Sequence, residues 1–479
     1  MDMASRNKAY LLFPFPSQGH LAAFTSLACL LHRVAPSATV TLVSTARNVA
    51  ALSAMAPPWL AFHSLPFSPS DHGLPAHAES TDALPIADMV TLFEAFESLQ
   101  PAFDAYVQAM VAANASVVVV SDLFVAWAAG VARRHGCSHA FFTTCGAFGT
   151  AIMRTLWENT PLSVTPAGHV SVAVPPGFPD GILLLHTTQI SGLLLRADGQ
   201  DRWSAFYRRQ IAHSGTTDGV LVNTVEELEP TGLAMLRSSL HNVVPVWPVG
   251  PLIRAAASSP DNDGIITWLD SQPIKSVLYI SFGSQNSITQ AQMARLAMAL
   301  ERTRRPFVWA IRPPVGLAAD VAGGEWLPEG FDERARHMSR GLVVRCWAPQ
   351  VRILAHHATG AFLSHCGWNS VLESLAHGVP LIGWPLAADQ FYNVEMLARK
   401  ECGVCVEVAR GNTEDDVPKV ESVAELVETV MGKTAKAAEM RMHVENVSEQ
   451  MRDTFREDGG SSMKSMTMFL EATRGRMHS

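Results

Sequence analysis

The sequence predicts an α/β protein of two domains, each built on a parallel sheet, and three observations carry that reading. Short apolar runs such as Ala9–Phe13, Ser116–Ser121 and Ser276–Phe282 alternate with helical patterns such as Leu21–Arg33 and Thr289–Arg302. That is the rhythm of parallel strands joined by helical crossovers. The rhythm is lost between Val246 and Gly264 and then restarts, which divides the chain near its middle. At 479 residues, 48% hydrophobic and 17% charged, the chain is long enough for two or three domains with full cores.

Bulk properties exclude several classes of function. Lys and Arg number 36 against 44 for Asp and Glu, a net charge of -8, so a broad nucleic-acid or anionic-membrane surface is not expected and any phosphate site has to be local. The seven cysteines (Cys29, Cys137, Cys145, Cys346, Cys366, Cys402 and Cys405) are odd in number and scattered, which suits reduced thiols in a cytoplasmic protein. Cys402 and Cys405 form a lone C-x-x-C beside Gly403, Val404 and Val406, and read as a packed strand rather than a zinc site. Met1 to Gln18 holds Asp2, Pro14 and Pro16, lacks a long apolar core and does not read as a signal peptide; Val117–Ala132 is too short and too interrupted by Asp122 to be expected to span a membrane.

The first domain opens with strand Ala9–Phe13, the turn Pro14-Phe15-Pro16-Ser17-Gln18-Gly19-His20, a helix over Leu21–Arg33 and a strand over Thr39–Ser44. Ligands of open parallel sheets collect at the carboxyl ends of strands, and His20 lies at such an end. So does Asp122, which follows the buried strand Ser116–Ser121. A carboxylate within reach of an imidazole would fix its tautomer and stabilise the imidazolium, a division of labour that suits a general base; a solvated or capping His is the alternative. A third strand, Ala140–Thr144, ends in two hydroxyls. Phe15, Phe124 and Trp127 surround these strand ends, and Trp203 stands in the variable stretch Asn159–Ile211; each is a candidate acceptor contact or an ordinary apolar staple. Gly219–Asn223 supplies a further strand.

Pro260-Asp261-Asn262-Asp263-Gly264 reads as linker, and its D-x-D as a solvated turn rather than a metal site. Beyond it come strands Ser276–Phe282, Phe307–Ile311 and Leu342–Cys346, and Gly283-Ser284-Gln285 forms the loop after the first of them. The absence of G-x-G-x-x-G in either half counts against a nicotinamide-dependent dehydrogenase or epimerase. The densest pattern is WAPQVRILAHHATGAFLSHCGWNSVLESLAHGVPLIGWPLAADQ, from Trp347 to Gln390. Ala361–Leu363 reads as a strand, His365-Cys366-Gly367-Trp368 as a tight loop, and Asn369–His377 as a helix closed by Gly378. Such a helix directs free N–H groups and its positive end at the loop, which suits phosphate. Ser370 with Glu373 equally fits a capping box, Asn369 an N-cap, Trp347 a core aromatic, and Asp389 a cap for the helix near Phe391.

The W-A-P-Q opening, H-C-G-W-N-S-x-x-E centre and D-Q close resemble the signature box of plant family 1 UDP-sugar glycosyltransferases of secondary metabolism. The resemblance implies the GT-B architecture, two Rossmann-like domains facing each other across a cleft. It implies that Trp347 stacks on uracil, that the backbones of Trp347 and Ala348 bind the base edge, and that Gln350 and Glu373 hold the ribose. It places His365, Gly367, Asn369 and Ser370 at the diphosphate, Trp368, Asp389 and Gln390 around the sugar, Gly283 and Ser284 in an F-G-S loop near the nucleotide phosphates or the acceptor-side edge, and Thr143 at the donor. His20 and Asp122 match the family's base and its partner. Ala23 stands where the family often has Pro.

On this reading residues 1–250 form an acceptor-binding domain, 251–264 a linker, 265–457 a UDP-sugar domain, and 458–479 a tail that packs back on the first domain. The expected enzyme is an inverting, metal-independent glycosyltransferase with no cofactor, active as a monomer without nucleic-acid or membrane partners. Gln390 inclines the donor to UDP-glucose, and flavonoids or other phenolics are the expected acceptors, ahead of terpenoids, hormones, xenobiotics or a carbon nucleophile. A UDP-sugar-binding protein without transfer activity is the principal alternative.

Overall fold

The computed structural model describes residues 8–113, 116–254, 263–315, 326–345, 347–399, 402–411 and 413–473. Asp261 and Cys346, both named above, lie outside them.

The chain forms two compact units. The first takes the chain up to Leu184, then Leu193–Arg254, and the chain from Thr454 onward. Its sheet has seven strands: β1 (Lys8–Phe13), β2 (Thr39–Thr45), β3 (Ala61–Leu65), β4 (Ser116–Ser121), β5 (Ser138–Thr143), β6 (Val220–Val222) and β7 (Val246–Pro248). They are all parallel, in the order β3-β2-β1-β4-β5-β6-β7. The central strands β1 and β4 read YLLF and VVVV, apolar on both faces, as a sheet covered on both sides requires. Because alternate side chains point to opposite faces, Leu11, Phe13, Val117 and Val119 enter one core while Tyr10, Leu12, Val118 and Val120 enter the other.

That second core also takes Leu27 and Leu31 from helix α1 (Gln18–Val34), and Met466 and Phe469 from the C-terminal helix Ser461–Ala472. Ser462 is tied to the carbonyl of Gly250, so the tail is fixed to the first sheet by packing and by a buried hydrogen bond. Val246–Pro248, where the sequence loses its periodicity, is the edge strand; an edge is where a sheet tolerates a proline.

The second unit takes Leu185–Gly192 and the chain from Ala255 to Asp453. Its six parallel strands are β8 (Val277–Ser281), β9 (Phe307–Ala310), β10 (Gly341–Val344), β11 (Thr359–Ser364), β12 (Leu381–Gly383) and β13 (Cys405–Glu407), in the order β10-β9-β8-β11-β12-β13. Leu278, Ile280 and Phe282 of β8 and its end face the main core, while Tyr279 stacks on Phe362 of β11 on the other side. The fold is thus two Rossmann-like sheets. Leu185–Gly192 is held in this unit by Gln189 donating to Glu395 at 3.1 Å and Arg410 donating to Thr188 at 3.4 Å. Among the described residues no helix is long and apolar enough to cross a membrane.

Candidate active site

In the first unit, β1 and β4 are neighbours with Phe13 opposite Ser121, so the loop after one meets the residue after the other. Asp122 is 2% exposed. Its backbone N–H donates to Phe13 (3.0 Å), and its two carboxylate oxygens accept from Phe15 N–H (3.3 Å) and Phe124 N–H (3.0 Å). The oxygen facing Phe15 also lies 2.5 Å from Nδ1 of His20, in the first turn of α1. A carboxylate can only accept here, so Nδ1 carries the proton and Nε2 is the basic end of the ring. His20 keeps 20% of its side chain accessible, and its ring lies nearly parallel to Phe124 at 5.5 Å.

Phe124 is half-buried in a cluster with Phe93, Phe206 and Tyr207, and Trp203 touches the same cluster through Phe93 and Tyr207. Phe15 is fully buried behind Phe124. The structure corrects the expectation for Trp127: it is 4% exposed and packs edge-on against Phe13 and Phe103, as a core residue. Thr143 ends β5 with its hydroxyl 3.1 Å from that of Thr150 and accepting from Cys145 N–H.

A second imidazole lies near this base but serves differently. His139 is fully buried between Ser121 Oγ on Nε2 and Thr217 Oγ on Nδ1, both at 2.9 Å, and burial pushes its pKa down to about 3. It ties β4 to β5 as a neutral ring.

The second unit builds its site at the carboxyl ends of β8 and β11. β11 runs into His365, then Cys366 in the left-handed region (φ 59°), then Gly367 at the start of helix α2 (Trp368–Ala376). A Cβ on Gly367 would fall 2.5 Å from His365 Nε2, and so would one on Gly283, which itself has φ 81°. Glycine at both positions is therefore what lets two backbones close on one imidazole. Burial holds the His365 pKa down at about 4, and its Nδ1 is buried with no hydrogen-bond partner among the described residues. A buried, unpaired polar atom in a native fold points to a missing partner, and a neutral ring can supply an N–H donor.

Helix α2 corrects the alternatives for Ser370 and Asn369, since its N-cap is Gly367 and no side chain caps it. Ser370 and Glu373 are instead joined through Gln350, whose Nε2 donates to Ser370 Oγ (3.0 Å) and Glu373 Oε2 (2.7 Å). Trp347, three residues before the short helix that begins at Gln350, is 54% exposed and no core aromatic, whereas Ala348 and Trp368 are buried. Asp389 precedes the helix Gln390–Ala398 without a side-chain cap bond and accepts from Asn393 Nδ2 at 2.8 Å. Gln390 turns its Oε1 back to accept from Leu386 and Ala387 N–H, both at 2.9 Å. Asp263, the described half of the D-x-D, pairs with Arg352.

The comparisons with known proteins decide the family. Residues 207–442 match the family described as UDP-glucoronosyl and UDP-glucosyl transferase, and residues 8–173 match the glycosyltransferase N-terminal domain. The chain is 39% identical to UDP-glycosyltransferase 92A1 of Arabidopsis thaliana over 97% of each protein. It is 41% identical to crocetin glucosyltransferase 3 of Crocus sativus over 81% of this chain and 84% of that one. The chain belongs to the plant UDP-glycosyltransferase family. The structure of Phytolacca americana UGT2, complexed with UDP-2fluoro-glucose and pterostilbene, superposes with a TM-score of 0.78 at 26% identity, covering 99% of this chain and 100% of that one.

Within this UDP-glycosyltransferase, three contributions went unread in the sequence. Asn393 Nδ2 holds the carbonyl of Cys366 (3.0 Å) as well as Asp389, and so links the His365 loop to the residues expected at the sugar. Glu229, 1% exposed, accepts from Ala147 and Phe148 N–H at the start of the helix that follows the Thr143 loop. Tyr279 reaches Gln350. Only Glu229 had a sequence signal, an acidic residue just before Pro230 and an apolar helix.

Proposed function

We propose that this enzyme, which transfers a sugar from a UDP-sugar, moves glucose to a small phenolic acceptor such as a flavonoid, and that the product is a β-glucoside. The observation that carries the mechanism is the 2.5 Å contact between His20 Nδ1 and Asp122. His20 Nε2 takes the proton from the acceptor hydroxyl, whose oxygen forms a bond to the anomeric carbon of an α-linked donor from the far face. The bond from that carbon to the UDP oxygen breaks as its electron pair leaves with UDP, and the configuration inverts. Asp122 stabilises the imidazolium that results.

Charge building on the diphosphate is met by the N–H groups at the start of α2 and by His365, so the residues themselves supply what a metal would otherwise provide. Trp347 offers an exposed indole face for uracil, and Gln350 with Glu373 receive the ribose. For the acceptor, the half-buried rings of Phe124 and Trp203 support a planar aromatic compound. Gln390 at the last position of the box supports glucose, as does the fluoroglucose donor in the Phytolacca americana complex. One chain carries both the base and the nucleotide residues, which supports a monomer, and free thiols at Cys29, Cys137, Cys366 and Cys405 support a cytoplasmic setting.

The test is UDP release from UDP-glucose in EDTA against phenolic and terpenoid acceptors, with product masses read alongside. A mass gain of one hexose on a phenolic supports the reading. Turnover only with another donor, or only on a non-phenolic acceptor, would replace that part of it, and UDP binding with no turnover on any acceptor would favour a binding protein.

A further inference from the structure

We infer that Tyr279 is a positioning residue for nucleotide binding, fixing the amide of Gln350 and, through it, the carboxylate of Glu373. The inference rests on the reading that Gln350 and Glu373 hold the ribose. Tyr279, Ser281 and Gly283 alternate along β8 and its end, and therefore share one side of the strand. Gly283 N–H donates to Ser281 Oγ at 3.4 Å, and the Ser281 hydroxyl acts on the Tyr279 phenol beside it, lowering its pKa. The hydroxyl lies 3.3 Å from Gln350 Oε1, while Gln350 Nε2 donates to Ser370 and Glu373.

Each link has one direction. The Glu373 carboxylate only accepts, so the amide of Gln350 turns its NH₂ to Glu373 and Ser370; Gln350 Oε1 also only accepts, and the Tyr279 hydroxyl is its donor. Burial pushes the phenol well above its ordinary range, opposed by the Ser281 hydrogen bond and reinforced by nearby Glu373, so the O–H remains a donor. The ring is 1% exposed and stacked on Phe362 at 4.8 Å, which leaves the hydroxyl little freedom. The bonds run from Tyr279 through Gln350 to Glu373, and Ser281, beside Tyr279, takes the N–H of Gly283 against the His365 ring, so the arrangement sets the Gly283 loop next to the residues expected at the ribose.

Without the hydroxyl, Gln350 Oε1 loses its donor and the amide is anchored by Ser370 and Glu373 alone, so the Glu373 carboxylate is held less firmly. Recognition of the ribose 2′-hydroxyl would suffer while the chemistry at His20 would not. The experiment compares binding of UDP with that of 2′-deoxy-UDP to the full chain as wild type, Tyr279→Phe, Ser281→Ala and Glu373→Ala, with the KM for the UDP-sugar and kcat measured beside it. Tyr279→Phe is expected to raise the donor KM about three- to tenfold with a smaller change in kcat, and to erase most of the preference for UDP over 2′-deoxy-UDP. Ser281→Ala should shift both in the same direction by less. A wild-type preference that Glu373→Ala removes and Tyr279→Phe keeps within about twofold would overturn the inference and leave the ribose reading standing. No preference in the wild type, or none lost in Glu373→Ala, would overturn the ribose reading and the inference with it. Should Tyr279→Phe fail to fold, Ser281→Ala decides the same comparison.

Discussion

Two imidazoles, one in each unit, are prepared in opposite ways. His20 is completed by the protein: a buried carboxylate holds its Nδ1 at 2.5 Å, and that carboxylate is itself fixed by two backbone N–H groups. His365 is left incomplete, pressed between Gly283 and Gly367 with Nδ1 buried and unpaired and its pKa held down at about 4. A base needs its proton inventory settled before the substrate arrives, because tautomer and charge decide the direction of transfer. A donor to a phosphate needs the reverse: the ligand must be its best available partner. The difference is one between a group that reacts and a group that receives.

The contrast is broken most severely at the base. His20→Ala is expected to lower kcat about 10²- to 10⁴-fold while leaving UDP binding unchanged, and Asp122→Asn about tenfold or more through loss of the fixed tautomer. Steady-state rates with a UDP titration check both; His20→Ala activity within a few-fold of wild type would remove the base assignment. At the other imidazole, Gly283→Ala places a Cβ 2.5 Å from His365 Nε2 on a backbone at φ 81°. It should weaken UDP binding about tenfold or more, and a calorimetric titration showing unchanged affinity would mean that His365 does not meet the nucleotide.

Trp347→Ala sharpens the comparison from a third direction. The indole is 54% exposed, so its removal should leave the melting temperature within a degree or two and raise the donor KM about five- to fiftyfold through lost stacking on the base. An unchanged KM would end the stacking assignment. Trp127→Ala should do the reverse, costing about 3–5 kcal/mol of stability by emptying a core site against Phe13 and Phe103. Thermal melts separate the two tryptophans, which the sequence alone could not rank.

That pair marks the boundary of what was legible. Long apolar runs such as VVVV of β4 announce central strands because both faces are buried. Ala61–Leu65 buries only its last residue and Val246–Pro248 carries a proline, so neither has a pattern strong enough to read as an edge. The signature box showed which side chains gather, since its motif is contiguous. It did not show how they are held, because the partners come from elsewhere: Tyr279 from another strand and Asn393 from a later helix. Burial is equally invisible in one dimension; Phe15, Phe124, Trp127 and Trp203 looked alike, and only packing sorted them.

The smallest effect expected is on stability as the pH falls, and it separates histidines that the fold keeps neutral from one that it pairs. Burial lowers the pKa of His139 to about 3 and of His365 to about 4. In the unfolded chain both would titrate near 6.5, so below that pH the unfolded state binds protons that the folded state refuses. Stability is therefore full above about pH 6.5 and declines as the pH drops toward the folded values, by at most about 1.4 kcal/mol per pH unit for each ring. His139→Gln should flatten its share of that decline, at some cost at pH 7 from altered bonds to Ser121 and Thr217. Melting curves at pH 7, 6 and 5 read the slope directly. A variant as acid-sensitive as the wild type would show that His139 does not stay neutral in the fold, and its place between two hydroxyls would then need a charged imidazolium to explain it.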